Sequence, residues 1–161
     1  MKHLCSNFLR VEGTPEDMFQ FVKDSEEFCP ITDRLLGFSF HAHFPVPKSL
    51  LDQKRVKPKG LWESFFGVNK HRAFLHTIKA KRTIRDWQLK HWGNKEILRG
   101  AFTLEWEKDY VNAVFITEGI NSPQSIVEAI IARYPNLNFK YEWKVRTKGT
   151  SGLKYYYRKI S

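Results

Sequence analysis

The sequence predicts an α+β fold: a ferredoxin-like βαββαβ-type sandwich, with an antiparallel sheet, two packed helices and a basic helical insertion around residues 48–95. Three observations predict it. Two stretches repeat the order strand, short turn, Thr/Ser-Pro, amphipathic helix, as two βα halves of such a sandwich would. Further strand-like runs follow the second and third strands in the right places. The piece between Pro47 and Lys95 belongs to neither half and is strongly basic. At 161 residues, one domain over 1–161 is expected, large enough to bury a core.

Cys5 to Val11 reads as the first strand, with Cys5, Asn7, Leu9 and Val11 on one face and Ser6, Phe8 and Arg10 on the other. Gly13 breaks it. Thr14-Pro15-Glu16-Asp17 has a capping hydroxyl, a proline that needs no amide hydrogen and acids that suit the helix dipole. Met18, Phe21 and Val22 give that helix its buried stripe, with Phe28 a further candidate. Phe38 to Phe44 alternates like a second strand, with His41 and His43 sharing a face, and Phe44-Pro45-Val46-Pro47 ends it. Lys48 to Gly60 lacks periodicity and reads as an exposed loop. Leu61 to Phe66 reads as a short docking helix. Asn69 to Trp92 reads as helix in two pieces meeting near Lys81 to Thr83, stopped by Gly93. Strands follow at Ala101 to Glu107, Val111 to Thr117 and Leu137 to Val145. Between the last two, Ser122-Pro123 opens a helix with the stripe Ile126, Val127, Ile130, Ile131 and Tyr134, closed by Pro135. After a turn at Gly149 to Gly152, Leu153 to Ile160 reads as a final strand.

Hydrophobic residues at 42% and aromatics at 15% exclude a disordered chain. No apolar run suggests a signal peptide or membrane span, and Cys5 and Cys29 form neither a disulfide framework nor a zinc site. A reduced, cytoplasmic protein without cofactor or metal is expected. The net charge of +10 is uneven. Residues 48–99 hold fourteen basic and four acidic residues, a net +10, whereas 1–47 carry −3 and 100–161 carry +3. Such a localised field attracts a polyanion or an acidic protein surface, and otherwise serves as a solvated face.

Several words along the chain resemble the YubB ferredoxin-like family of phage and plasmid proteins. Leu4-Cys5-Ser6-Asn7-Phe8-Leu9-Arg10-Val11-Glu12-Gly13 resembles its opening (W)C-x-N-x-L-x-V-x-G, with Leu4 where Trp is usual. Trp87 and His91-Trp92-Gly93-Asn94-Lys95 are similar to its W…NWGTKW signature, with Asn94 for Thr and Glu96 for the second Trp. Phe44-Pro45-Val46-Pro47 is similar to its F-x-P-x-P turn. Ser122-Pro123 and Tyr134-Pro135-Asn136-Leu137-Asn138-Phe139 are similar to its SPP…FPxLxF region, although Thr117 to Asn121 lacks that region's Trp. The matches run in order over nearly the whole chain. The resemblance implies the ferredoxin-like fold, a mobile-element origin in a bacterial host, and an accessory role such as countering host defence. It makes Cys5, Asn7, Gly13, Trp87, Trp92 and Gly93 signature positions, which read as structural.

The expected binding residues are Lys70, Arg72, Lys79, Lys81, Arg82, Arg85, Lys90 and Lys95, set around the apolar anchors Phe74, Ile78, Ile84 and Trp87. The expected partner is nucleic acid, or a host nucleoprotein or defence complex, with no membrane involved. An acidic host protein is the alternative. A second alternative is metal-independent RNA cleavage with His91 as general acid. His41 and His43 on one strand face would offer two metal ligands but no nameable third. Arg99-Gly100-Ala101-Phe102-Thr103 misses the register of an RNA-reading strand, since Ala101 and Thr103 stand where aromatics are needed. Nucleic acid is therefore expected at the insertion rather than on the sheet.

Overall fold

The computed structural model describes residues 3–29, 34–54, 68–95, 97–105, 110–119, 121–146 and 149–157. The elements run β1 (Leu4–Glu12), α1 (Pro15–Ser25), β2 (Glu27–Cys29), β3 (Arg34–Leu36), α2 (Phe40–His43), α3 (Lys48–Lys54), α4 (Val68–Trp92), β4 (Arg99–Glu105), β5 (Tyr110–Glu118), α5 (Gln124–Ile131), β6 (Asn138–Val145) and β7 (Ser151–Tyr156). Five strands form one sheet in the order β4-β5-β1-β6-β7, with every neighbouring pair antiparallel. β2 and β3 pair separately. The fold is α+β, and its strand order is compatible with a ferredoxin-like arrangement extended by β7 at the β6 edge.

The alternation in β1 sets the two faces of the sheet. Cys5, Asn7, Leu9 and Val11 are buried and share their face with Val111, Ala113, Phe115 and Thr117 of β5 and Phe139, Tyr141 and Val145 of β6. Helices cover this face. α1 contributes Met18 and Phe21, and α5 contributes Ile126, Val127, Ile130 and Ile131 of the expected stripe, while Tyr134 lies beyond the end of the helix and packs partly buried against the core. Thr14 caps α1 by accepting from the Asp17 amide at 3.2 Å. At α5 the likeness to α1 ends: Pro123 occupies the cap position and supplies no side-chain bond. Glu128 of α5 instead ties the helix layer to β7, its Oε1 accepting from Lys154 at 2.9 Å and Tyr156 at 2.8 Å.

The structure corrects four expectations. Phe38 to Phe44 is not a strand. Ser39 accepts from the amides of His41 and Ala42 and nucleates the short helix α2, whose Phe40 enters the core beside Phe38. Lys48 to Lys54 is a helix rather than loop, while Leu61 to Phe66 lies outside the described residues. α4 is one continuous helix of 25 residues, not two pieces. Phe28 stands in β2, 60% exposed, and joins no buried stripe.

Candidate functional site

The basic insertion is organised by the C-terminal half of α4. Ile84, Gln88 and Trp92, four residues apart, are buried, and Trp92 is only 1% exposed. Trp92 meets Phe40 edge-on at 6.0 Å and Trp87 at 5.6 Å. Gly93, at φ 68°, ends the helix in the left-handed conformation that favours glycine. Asn94 is buried behind it, accepting from the Lys95 amide at 2.8 Å and donating to Asn121 O at 3.4 Å.

The solvent-facing part of the helix carries cations. Lys79, Lys81, Arg82, Arg85 and Lys90 are exposed, and no ion pair among the described residues engages them. Lys81, Arg82, Arg85, Asp86 and Leu89 line a shallow groove along this face. Lys70 and Arg72 belong to the same helix, but their side chains lie outside the described part. Lys95 does not join the patch as expected. Its Nζ bonds Glu118 Oε1 at 3.1 Å, which fastens the loop after α4 to the end of β5. So five expected binding residues are exposed on one helix and three of them line one groove, one is drawn into the scaffold, and two are not placed.

The signature positions take structural places. Cys5 is fully buried, and burial pushes its thiol pKa up, the reverse of what a nucleophile needs. Asn7 is the hub of a buried network. Its Nδ2 reaches Cys5 O at 3.1 Å, Thr117 Oγ1 at 3.3 Å and Phe115 O at 3.4 Å, and its Oδ1 accepts from Tyr141 OH at 2.8 Å. A Cβ on Gly13 would meet Leu137 Cδ2, the tip of a buried side chain that would have to shift to admit it. Trp87 stacks on His91 with centroids 4.5 Å apart.

The histidines diverge. Because α2 is helical, residues two apart point to different sides. His41 Nδ1 pairs with Glu27 Oε2 at 2.9 Å, while His43 Nε2 lies 2.9 Å from Ser25 Oγ. The shared strand face that two metal ligands needed does not exist, and no three-ligand group occurs among the described residues. Ser25 and His43 also resemble a nucleophile–base pair. Both are buried, and the Ser25 hydroxyl is already donated to Phe21 O at 2.6 Å. Burial, helped by Arg133, lowers the His43 pKa to about 4. The pair is a packing device.

The other face of the sheet holds side chains that the sequence argument passed over. Val114, Leu153, Tyr155 and Tyr157 are all exposed large hydrophobics. The pattern in β7 signalled this face, since Leu153, Tyr155 and Tyr157 alternate against Lys154 and Tyr156. Lys140 pairs across with Tyr155, and Lys154 turns to Glu128 beneath.

No family model matches the chain, and neither the curated proteins nor the solved structures contain a match to it. No helix among the described residues is long and apolar enough to cross a membrane.

Proposed function

We propose that this protein is a non-enzymatic accessory protein of a phage or other mobile element, built as a ferredoxin-like sandwich. It binds nucleic acid, alone or within a host nucleoprotein complex, through the solvent face of α4. The observation that carries this reading is the cluster of exposed cations Lys81, Arg82 and Arg85 around one groove of a helix that Ile84, Gln88 and Trp92 anchor in the core, with Lys79 and Lys90 exposed on the same helix. A rigid cationic rod suits a phosphate backbone, because its charges are held in register without an ordering cost at binding. Inhibition of a host defence complex fits both this field and the resemblance to phage and plasmid proteins. The histidines favour binding over RNA cleavage: His43 is sequestered, His41 is tied to Glu27, and His91 is stacked on Trp87.

The test is titration of labelled single- and double-stranded DNA and RNA with the wild type and with a Lys81→Glu, Arg82→Glu, Arg85→Glu triple variant. Affinity should fall at least tenfold in the variant, an order of magnitude consistent with losing several phosphate contacts. Capture from host lysate with and without nuclease then reports whether nucleic acid bridges the partner. Negligible binding to all four nucleic acids, with nuclease-resistant capture of one acidic protein, would transfer the site to the protein-only reading. RNA cleavage lost in a folded His91→Ala variant would transfer it to the nuclease reading.

A further inference from the structure

The open face of the sheet carries a second surface whose composition is unusual for a solvated face. Antiparallel register sets its rows. One row runs Ala101, Val114, Phe8, Glu142, Leu153 across β4, β5, β1, β6 and β7. The next runs Thr103, Asn112, Arg10, Lys140, Tyr155. Tyr157 continues β7 on the same side as Tyr155. Tyr155 is 53% and Tyr157 75% exposed, and their rings lie 5° from parallel with centroids 6.2 Å apart. Leu153 and Val114 are exposed at 48% and 45%. A groove of about 530 Å³ lies beside Phe8, bordered by Val114, Lys144 and Leu153.

Cations sit among these rings. The Arg10 guanidinium lies 4.1 Å from the centre of the Tyr110 ring, and its Nε has no hydrogen-bond partner among the described residues. Lys140, the neighbour of both Arg10 and Tyr155, is paired with Glu142 at 2.5 Å. Lys144 and Arg146 are exposed farther along the same edge of the molecule.

We propose that this face binds single-stranded nucleic acid, with bases stacked on Tyr155 and Tyr157 and the backbone held by Arg10, Lys140 and Lys144. This does not rest on the α4 reading. Two parallel aromatic rings at positions i and i+2 of a strand accept successive bases of an extended chain without regard to sequence, and neighbouring cations meet its phosphates. A duplex hides its base faces and gains nothing from the tyrosines. Charge complementarity favours an anionic chain over a second copy of the protein, which would bring the same cations to its own surface. The register that disqualified β4 as an RNA-reading strand is met instead on β7, at the opposite edge of the sheet.

Fluorescence anisotropy with labelled 12-nucleotide oligo-uridine, oligo-thymidine and a 12-base-pair duplex tests the proposal. Tyr155→Ala and Tyr157→Ala should each weaken single-strand binding about tenfold, while Tyr155→Phe, which keeps the ring, should stay within about twofold of wild type. Duplex affinity should be unchanged by all three. The Lys81→Glu, Arg82→Glu, Arg85→Glu variant tests α4 separately and should keep the tyrosine dependence. The RNA and DNA arms distinguish the two sources of the strand. Photo-crosslinking with 5-iodouridine should label a peptide containing Tyr155 or Tyr157. Both tyrosines are exposed, so circular dichroism should show the variants folded. Wild-type single-strand affinity in the Tyr155→Ala, Tyr157→Ala double variant would overturn the proposal, as would no binding by folded wild type. A concentration-dependent dimer that the double variant abolishes, without oligonucleotide binding, would give the face to a second copy instead.

Discussion

His43 shows how one side chain ties the helix layer to pH. Its neighbours fix its protonation: the Ser25 hydroxyl donates to Phe21 O, so His43 Nε2 must carry the proton that bridges to Ser25. Burial is the largest cause of its lowered pKa, Arg133 adds to it, and Asp24 opposes it. Unfolding restores a value near 6.5, so between about pH 4 and 6.5 the unfolded chain binds more protons than the folded one. Stability is therefore full above 6.5 and is lost as pH falls towards 4. The gap corresponds to about 3 kcal/mol. Urea unfolding from pH 7.5 to 4 should show this decline, and His43→Gln should flatten it; an unchanged slope would remove His43 as its origin. Asn7 makes a different demand. Asn7→Ala strips the Tyr141 hydroxyl of its acceptor inside the core and should lower stability by about 2 kcal/mol in denaturant titration. Gly152 is constrained by its partner across the ladder: a Cβ there would run into the Trp143 ring, which stacks on Tyr141. Gly152→Ala should cost on the order of 1–3 kcal/mol and change the tryptophan emission, because the ring cannot bend away as a flexible chain would.

At the scale of elements, α4 separates anchoring from charge. Trp92→Ala removes a fully buried ring that touches Phe40 and should cost about 3–5 kcal/mol. The triple charge reversal at Lys81, Arg82 and Arg85 touches only exposed positions and should stay within about 0.5 kcal/mol per site. Thermal unfolding of both variants checks the contrast. Equal losses would mean that the basic face is packed rather than free. The elements also show where the sequence was legible. β1, α1 and the α5 stripe could be read because period and burial agree over their full lengths. α2 could not: Phe38, Phe40, Ala42 and Phe44 alternate, yet the Ser39 cap and the packing of Phe40 against Trp92 override a period-two pattern over so few residues. β2 and β3, three residues each, carry no periodicity to find. The candidate site was read from charge alone, so Lys95 was included, although Glu118 arrives beside it from a strand distant in sequence.

At the scale of the molecule, the charge imbalance of the sequence becomes a division of labour. The middle of the chain supplies +10, and among the described side chains five of its exposed cations stand on α4. The sheet offers aromatic faces with fewer charges. Binding by α4 should therefore be governed by counterion release, and binding by β7 by stacking. Duplex affinity plotted against salt concentration on logarithmic axes should have a slope of about −4.5 if all five α4 cations meet phosphates, at roughly −0.9 per contact. The triple charge reversal should make that slope shallower by about three, whereas the Tyr155→Ala, Tyr157→Ala variant should leave it unchanged. For single strands the tyrosine variant should lower affinity at every salt concentration by a constant factor, because stacking releases no counterions. Anisotropy titrations between 50 and 200 mM salt would read both effects. A salt slope near zero for the duplex would show that the α4 field does not meet phosphates, whatever the strength of binding.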